Sequence, residues 1–556
     1  MSDLLNSASL VMIPSGYKED TVYSVVPSDG SGDLSFTRAS NGTRVNSAGL
    51  VEVCPWNLLE YSEELNNAYW QKNLVTINPN TTVAPNGTTT ADTFTNSSTG
   101  YGIYAVVNVA PSQQYTFSFY IKKGTNTSYI LSVIDAVSFN SISSLDYSSQ
   151  VSATDWVRIT RTFTTPSTTT SIRVYQMRDG STTGTAFLWG AQLNIGSTAK
   201  PYFPTTDRLN VPRLTYQNGG GGCPSLLLEK QSTNLALYSQ EFDNGYWGKP
   251  NVTITANNTT SPDGTQNADK LASNGAGNDE YIERSGFTTS VGTYTSSIFM
   301  KNVDATTSVL MAVHLGEGSQ TSDMRYTWST NTFTTNGTNV VSAKATNYGN
   351  GWVRLEFTYT IGASVTGHWY RIYAQTATST KAIYIWGAQL EASSYPTSYI
   401  PTTSSSATRV ADACFKTGIS SLIGGGVGTW FMDFEMVQGG GLGNPFAFDL
   451  SDGTTSNRLY LYWGESVQSW YWGGADTAIT LPSTLRKKVA IKFSGTTAKL
   501  FCNGSSIATN TIATAFSRLD IGQRFSNTFP MDGKINQAYF LTTSLTDAEC
   551  QAITTI

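Results

Sequence analysis

Histidine is nearly absent from this sequence: His314 and His368 are its only two in 556 residues. Ser-His-Asp and Cys-His catalysis need an imidazole held against a nucleophile, so this supply all but removes those chemistries. His314 ends the apolar run Val309-Leu310-Met311-Ala312-Val313, and His368 sits beside the turn glycine Gly367; neither has a neighbour that would complete a triad or a metal site. Charge is also scarce, with Asp, Glu, Lys and Arg making up 13% of residues, a net charge of −5, and no basic run longer than Arg486-Lys487-Lys488. A nucleic-acid or anionic-membrane surface is therefore disfavoured, whereas neutral, polyhydroxylated partners remain compatible.

The five cysteines, Cys54, Cys223, Cys414, Cys502 and Cys550, are odd in number and far apart, without a CxxC pair. Neither a zinc site nor a dense disulfide framework is expected, and the cysteines read as free thiols. Long apolar runs are missing too: near the start the longest is Leu10–Ile13, so no signal peptide or membrane span is expected. Asp29-Gly30-Ser31-Gly32-Asp33 resembles the opening of a calcium loop, but position twelve is Ser40, which cannot supply the bidentate carboxylate, so a tight turn is expected. No cofactor is expected; calcium is compatible with such a chain but no residues are assigned to it.

What is abundant is Thr, Ser and Asn, with 49 glycines and 12% aromatic residues. That usage suits short strands joined by polar turns, and the 39% hydrophobic content supplies their cores. One stretch is written twice. Asn57-Leu58-Leu59-Glu60-Tyr61-Ser62 with Tyr69-Trp70 returns as Asn234-Leu235-Ala236-Leu237-Tyr238-Ser239 with Tyr246-Trp247. The agreement continues through Pro85-Asn86-Gly87 and Pro262-Asp263-Gly264, Trp156-Val157-Arg158 and Trp352-Val353-Arg354, and Trp189-Gly190-Ala191-Gln192-Leu193 and Trp386-Gly387-Ala388-Gln389-Leu390. The offset grows from 177 (234 minus 57) to 197 (386 minus 189), so the second copy carries about twenty extra residues. Copies of this size are tandem domains, not solenoid repeats.

Alternation identifies strands: Tyr115, Phe117, Phe119 and Ile121 interleave with polar residues, and Tyr294 to Lys301 is the counterpart. In the closing strand Phe187, Trp189, Ala191 and Leu193 are expected on one face, with Trp189 and Trp386 in the core. Trp156 and Trp352 share faces with Arg158 and Arg354, which admits either a stacking surface for a sugar or a guanidinium covering an indole. After Gly424-Gly425-Gly426-Val427-Gly428, a glycine joint without the Lys-Ser of a phosphate loop, strands are expected at Thr429–Met436, Arg458–Trp463, Ser469–Trp472, Val489–Phe493, Ala498–Phe501, Leu519–Gly522 and Lys534–Leu541. A turn at Asn503-Gly504 and one short helix at Thr546–Ile553, capped by Thr or Asp, complete the pattern.

With Tyr202-Phe203-Pro204-Thr205-Thr206 and Tyr399-Ile400-Pro401-Thr402-Thr403, the duplicated pattern resembles a carbohydrate-binding-module-like jelly roll common in structural proteins of tailed bacteriophages. Ser35-Phe36-Thr37-Arg38-Ala39-Ser40-Asn41-Gly42-Thr43-Arg44-Val45, and Val211-Pro212-Arg213-Leu214 leading to Cys223-Pro224-Ser225-Leu226-Leu227-Leu228-Glu229, match the same context; the first jelly roll looks inserted between stretches that otherwise adjoin. Val489 to Phe493, Leu500 to Gly504, Ile521-Gly522 and Met531 to Ile535 make the last region similar to a concanavalin A-like, or laminin G-like, lectin sandwich. The resemblance implies an all-β chain of tandem antiparallel β-sandwiches: an N-terminal virion-anchoring segment at 1–53, jelly roll 1 at 54–206, a linker plus jelly roll 2 at 207–412, and the lectin-like sandwich at 413–556.

It further implies a non-enzymatic surface fibre or spike on the tail or head of a phage particle. Such a protein is made in the bacterial host cytoplasm, forms a homotrimer, joins other virion proteins through its N-terminal segment and binds host-surface or mucosal glycans, without nucleic acid or membrane insertion. Tyr460, Tyr462, Trp463, Trp470, Tyr471 and Trp472, together with Trp352, are the glycan-contact candidates, because a pyranose ring needs flat aromatic faces. Two alternatives stay open: a glycan-depolymerising tailspike or modular glycoside hydrolase, drawing two carboxylates from residues such as Asp433, Glu435 and Glu465, and a virion joint without ligand.

Overall fold

The computed structural model describes residues 2–96, 102–178, 183–275, 280–304, 308–314, 321–362, 365–374, 381–423, 426–437, 443–513 and 515–556; Gly424 and Gly425 of the glycine joint lie outside them. The described chain is almost entirely antiparallel β, as its composition suggested. It divides into two compact units, one of Val53–Leu209 with Gly264–Gln266 and the other of Met1–Glu52, Asn210–Asp263 and Asn267–Ile556.

The smaller unit is a sandwich of two five-stranded sheets. One is ordered Ser141–Asp146, Ile130–Asp135, Ser171–Met177, Ile103–Asn108, Gln71–Lys72, and the other Val157–Thr164, Gln114–Lys123, Gly184–Ile195, Ala91–Asn96, Val75–Thr82. Tyr115, Phe117, Phe119 and Ile121 enter the core as their alternation requires, meeting Ile103, Ala105, Ile172 and Val174 from the facing sheet. The larger unit repeats this sandwich. A six-stranded sheet centred on Ala382–Glu391, Gly292–Asn302 and Trp352–Ile361 faces a five-stranded one ordered Tyr281–Thr289, Val365–Tyr373, Ser308–His314, Thr321–Thr327, Thr332–Asn336.

The closing strands depart from simple alternation. The register slips between Ser118 and Tyr120 in one copy and between Ser297 and Phe299 in the other, opposite Gly190 and Gly387 with φ of +65° and +66°. A bulge inserts one residue and reverses the face. Leu188 and Ile385 therefore join Ala191, Leu193, Ala388 and Leu390 in the main cores, while Trp189 and Trp386 turn to the opposite face. There they remain buried against Tyr202 and Tyr399, at ring separations of 4.7 Å in both copies. Only glycine suits this position: a Cβ on Gly387 would stand 3.0 Å from the Phe299 ring in a left-handed backbone.

The third sandwich pairs an eight-stranded with a nine-stranded sheet. Its strands Val427–Met436, Arg458–Gly464, Ser469–Gly473, Arg486–Ser494, Thr497–Cys502, Arg518–Ile521 and Gly533–Leu541 lie where the sequence pattern put them. The helix Asp547–Thr554 opens with Thr546 as its cap, in a capping box with Glu549. Residues 1–53 do not stand apart as a segment. Ala8–Met12 pairs with Gly533–Leu541 and Leu34–Thr37 with Ala413–Thr417, because Leu10, Met12, Val22, Leu34 and Phe36 are apolar at strand spacing and complete the core of the third sandwich.

Arg38, Arg213 and Glu229, from the stretches of phage-like pattern, meet Arg409 and Asp412 in a buried ionic knot. Arg38 pairs with Asp412 at 2.9 Å, Arg213 with both Asp412 and Glu229, and Arg409 with Glu229 at 3.0 Å. Burial alone would raise the Glu229 carboxyl, but Arg409 and Arg213 outweigh it and hold the group at about 2. The two stretches adjoin in space: the Tyr216 amide donates to the Val45 carbonyl at 2.9 Å. None of the five cysteines is joined in a disulfide, and Cys223 alone of them is exposed.

Candidate functional site

The aromatic cluster of the third sandwich splits by strand alternation. Trp463, Trp470 and Trp472 point into the core, with Trp472 fully buried, so none of the three offers a face to a ligand. Trp470 and Trp472 share that inward face, and neither is released toward a loop. Tyr460, Tyr462 and Tyr471 take the outer face with Phe446 and Phe529. Phe446, Tyr462 and Tyr471 stack in a row at 4.8 and 5.1 Å, so the rings cover one another. The Tyr460 and Tyr462 hydroxyls donate to Asp476 Oδ1 at 2.7 and 3.1 Å. Of the six residues only Tyr471 keeps appreciable exposure.

Trp352 is also interior, 2% exposed, packed with Phe299, Trp386 and Tyr399 while its indole N–H reaches the Thr260 carbonyl at 3.2 Å. The rest of the repeated signature is a fastening for the end of each jelly roll. Asn57 Nδ2 donates to the carbonyls of Ala191 and Phe203, and its Oδ1 accepts from the amides of Leu59 and Leu193. Asn234 makes the same four bonds with Ala388, Ile400, Ala236 and Leu390. Gln192 and Gln389 accept from the Phe203 and Ile400 amides at 3.0 and 2.7 Å. Arg158 and Arg354 bond Ser118 and Ser297, each at 3.0 Å, and clamp the carbonyls of Lys200 and Thr397.

Two of the three carboxylates named above are engaged by other groups of the fold. Asp433 is buried and held bidentately by Arg486, at 2.9 and 2.6 Å, and Glu465 accepts from the Gly443 amide. Burial raises Asp92 to about 6 and Asp269 to about 7, against two backbone amides that each accepts. Both are sealed within their sandwiches at 1% exposure. His368 is fully buried in the strand Val365–Tyr373, its Nε2 3.0 Å from the Tyr359 hydroxyl; the side chain of His314 lies outside the described residues. Among the described residues no three His, Cys, Asp or Glu side chains converge as a metal site would require. A cavity of about 210 Å³ opens among Arg44, Glu229, Lys344, Arg354, Glu356 and Tyr399, smaller than the roughly 300–1,000 Å³ of sites that enclose a small molecule.

A further set of outward-pointing aromatics on the jelly rolls was not among the expected residues; within it Tyr175 and Tyr281 are only 5% and 7% exposed, and Tyr104, Phe139, Trp369 and Tyr373 keep open surface. On the outer face of the first jelly roll's Ile103–Asn108 and Ser171–Met177 strands, Tyr104 stands directly opposite Tyr175, rings 4.7 Å apart. Arg173 lies over Tyr104 at 5.1 Å and the exposed Phe139 at 4.5 Å, and Arg178 over Tyr175 at 5.2 Å. The second copy repeats the arrangement at the same register. Tyr281 opposes Tyr373 at 5.0 Å, and Arg371 lies over Tyr281 at 4.0 Å and Trp369 at 3.8 Å. Strand alternation places these residues outward, since their neighbours Ile172, Val174, Ile282 and Ile372 fill the cores. A sequence signal existed: Arg173-Val174-Tyr175 and Arg371-Ile372-Tyr373 are an Arg-x-Tyr triplet shared by both copies.

No protein-family model matches the chain, and no curated protein matches it. Solved structures do overlap parts of it. The CBM40 of Ruminococcus gnavus IT-sialidase bound to α2,3 sialyllactose is 18% identical, covering 25% of this chain and 86% of that one with a TM-score of 0.20. The CBM22-1-CBM22-2 tandem domain of Paenibacillus barcinonensis Xyn10C is 12% identical over 60% of this chain and 97% of its own, with a TM-score of 0.21. Mouse laminin α1 domains LG4-5 are 10% identical over 48% and 90%, with a TM-score of 0.16. Overlaps this partial assign neither ligand nor activity; the all-β sandwich architecture rests on the sheets described above.

Proposed function

We propose that this chain is a non-enzymatic structural component of a bacteriophage particle, carried on its surface as a homotrimeric fibre or spike, whose jelly rolls bind host or environmental glycans. The observation that supports glycan binding is the cross-strand tyrosine pair with a stacked arginine, kept on the same outer face of both copies. Aromatic faces meet the apolar face of a pyranose, and the arginines add directed donors for hydroxyl oxygens. Single sites of this kind bind weakly, and several copies on one particle raise the effective affinity. The phage setting is supported by the motif resemblance alone. The N-terminal segment, whose strands belong to the third sandwich, would attach the chain to other virion proteins.

The test is a glycan array probed with multivalently displayed full-length chain and with the Tyr104→Ala/Tyr281→Ala variant. Signal lost in the variant, with both proteins folded at the assay temperature, supports the reading; no signal from either protein refutes it. Mass spectrometry of intact particles and sedimentation test the virion and trimer claims, and oligosaccharides released from capsule or lipopolysaccharide would overturn the non-enzymatic one.

A further inference from the structure

The two copies differ at one informative register position. In the second, Glu283 stands opposite Arg371 across the strand pair, and its Oε2 accepts from Arg371 Nε at 2.7 Å. In the first, the residue opposite Arg173 is Val106. The carboxylate that satisfies the arginine of copy two is thus replaced in copy one by an apolar side chain that is 45% exposed. Arg173 Nε is buried without a hydrogen-bond partner, and no ion pair joins Arg173 to any described residue.

The surroundings of Arg173 keep its guanidinium in place, with Nε shut off from solvent and the two terminal nitrogens left as donors for a ligand. Tyr104 and Phe139 lie against it at 5.1 and 4.5 Å, a contact that favours the cation. Phe139 reaches this position from a tight loop in which Asp135 accepts from the amides of Val137 and Ser138 at 2.9 and 2.7 Å and from the Thr169 hydroxyl at 2.6 Å. The loop holds Phe139 at a φ of +61°, uncommon for an aromatic residue, and leaves its ring 59% exposed beside Val137, which is 77% exposed. Exposed apolar side chains around an unpaired cation fit a ligand with one carboxylate and one apolar face.

We infer that the outer face of the first jelly roll around Arg173, Tyr104 and Phe139 binds a carboxylate-bearing sugar, its carboxylate on the terminal guanidinium nitrogens of Arg173, which lacks the internal carboxylate that Glu283 supplies in the second copy. This rests on the glycan-binding reading above and narrows it: copy one takes acidic glycans, while copy two is occupied from within. Arg suits the role better than Lys because its planar fork matches a carboxylate bidentately.

The experiment measures binding of the full chain to methyl β-D-glucuronide, methyl α-sialoside and the neutral methyl β-D-glucoside by ligand-observed NMR. At least one acidic sugar is expected to bind ten-fold or more tightly than the glucoside and to weaken with added salt, and the pair distinguishes a uronic from a sialic source. Val106→Glu imports the internal carboxylate of copy two at an exposed position and should abolish the acidic preference with unchanged thermal unfolding. Arg173→Lys should reduce it several-fold. Equal binding of acidic and neutral sugars, or an acidic preference that survives Val106→Glu, overturns the inference while glycan binding stands. No binding of any sugar, together with a silent array, overturns both.

Discussion

Replacing Asn57 by Ala tests whether the repeated signature is a structural fastening. The side chain is fully buried and makes bonds of 3.0 and 3.1 Å to two carbonyls and accepts bonds of 3.1 and 3.2 Å from two amides. Alanine removes all four and leaves the Leu59 and Leu193 amides without that acceptor. A buried donor without a partner costs about 1–3 kcal/mol, so the two amides alone set a loss of roughly 2–6 kcal/mol. At about 2–4 °C per kcal/mol for a domain of this size, the first jelly roll should melt on the order of 10 °C lower. Calorimetry gives the shift, and hydrogen exchange of the strand Gly184–Ile195 localises it. Asn234→Ala should behave alike in the second copy, because its four partners correspond one for one. A change below about 2 °C with unchanged protection of Leu193 would refute the fastening.

Four further outcomes are expected. Burial raises Asp269 to about 7 and Asp92 to about 6, so each binds its proton more tightly folded than unfolded. That contribution is complete below the unfolded value of 3.8 and is lost as pH rises through 6 and 7. Unfolding free energies from urea titrations should therefore fall between about pH 4 and 7, by at most about 4 kcal/mol for Asp269, and Asp269→Asn should flatten the slope. Gly387→Ala should cost more than Gly87→Ala by equilibrium unfolding: both have positive φ, at an intrinsic cost of about 1–2 kcal/mol, but only the former sets a Cβ 3.0 Å from a ring. Trp472→Ala should lower stability by about 3–5 kcal/mol, and any glycan signal should fall only in step with the folded fraction. Thr546→Ala should cost about 1 kcal/mol, read as faster hydrogen exchange in the C-terminal helix.

The third sandwich shows how far pattern reading reaches. Its seven expected strands and its helix are found because period-two alternation, an Asn-Gly turn and a capping box are local devices, written in consecutive residues. The duplication was legible for the same reason, and a shared signature means a shared fastening. Trp189 and Trp386 marked the limit: their strands alternate on paper, but a glycine bulge reverses the face, and the partner strand that shapes a bulge lies about seventy residues earlier in the first copy and about ninety in the second.

The candidate ligand surface lay further beyond reach. Trp463, Trp470 and Trp472 could be counted in the sequence but not assigned a side, since which face of a sheet meets the other sheet depends on how whole layers stack. Tyr104 and Tyr175 become a pair only through a register joining residues seventy-one positions apart (175 minus 104). The amino-acid order settled the all-β class, the two copies and seven strands of the third sandwich, because those follow from local periodicity and turn chemistry. Packing alone settled which aromatics are sealed inside, which stand on an open face, and that one arginine has a carboxylate opposite it while its counterpart has valine, because these are relations across strands that no stretch of consecutive residues contains.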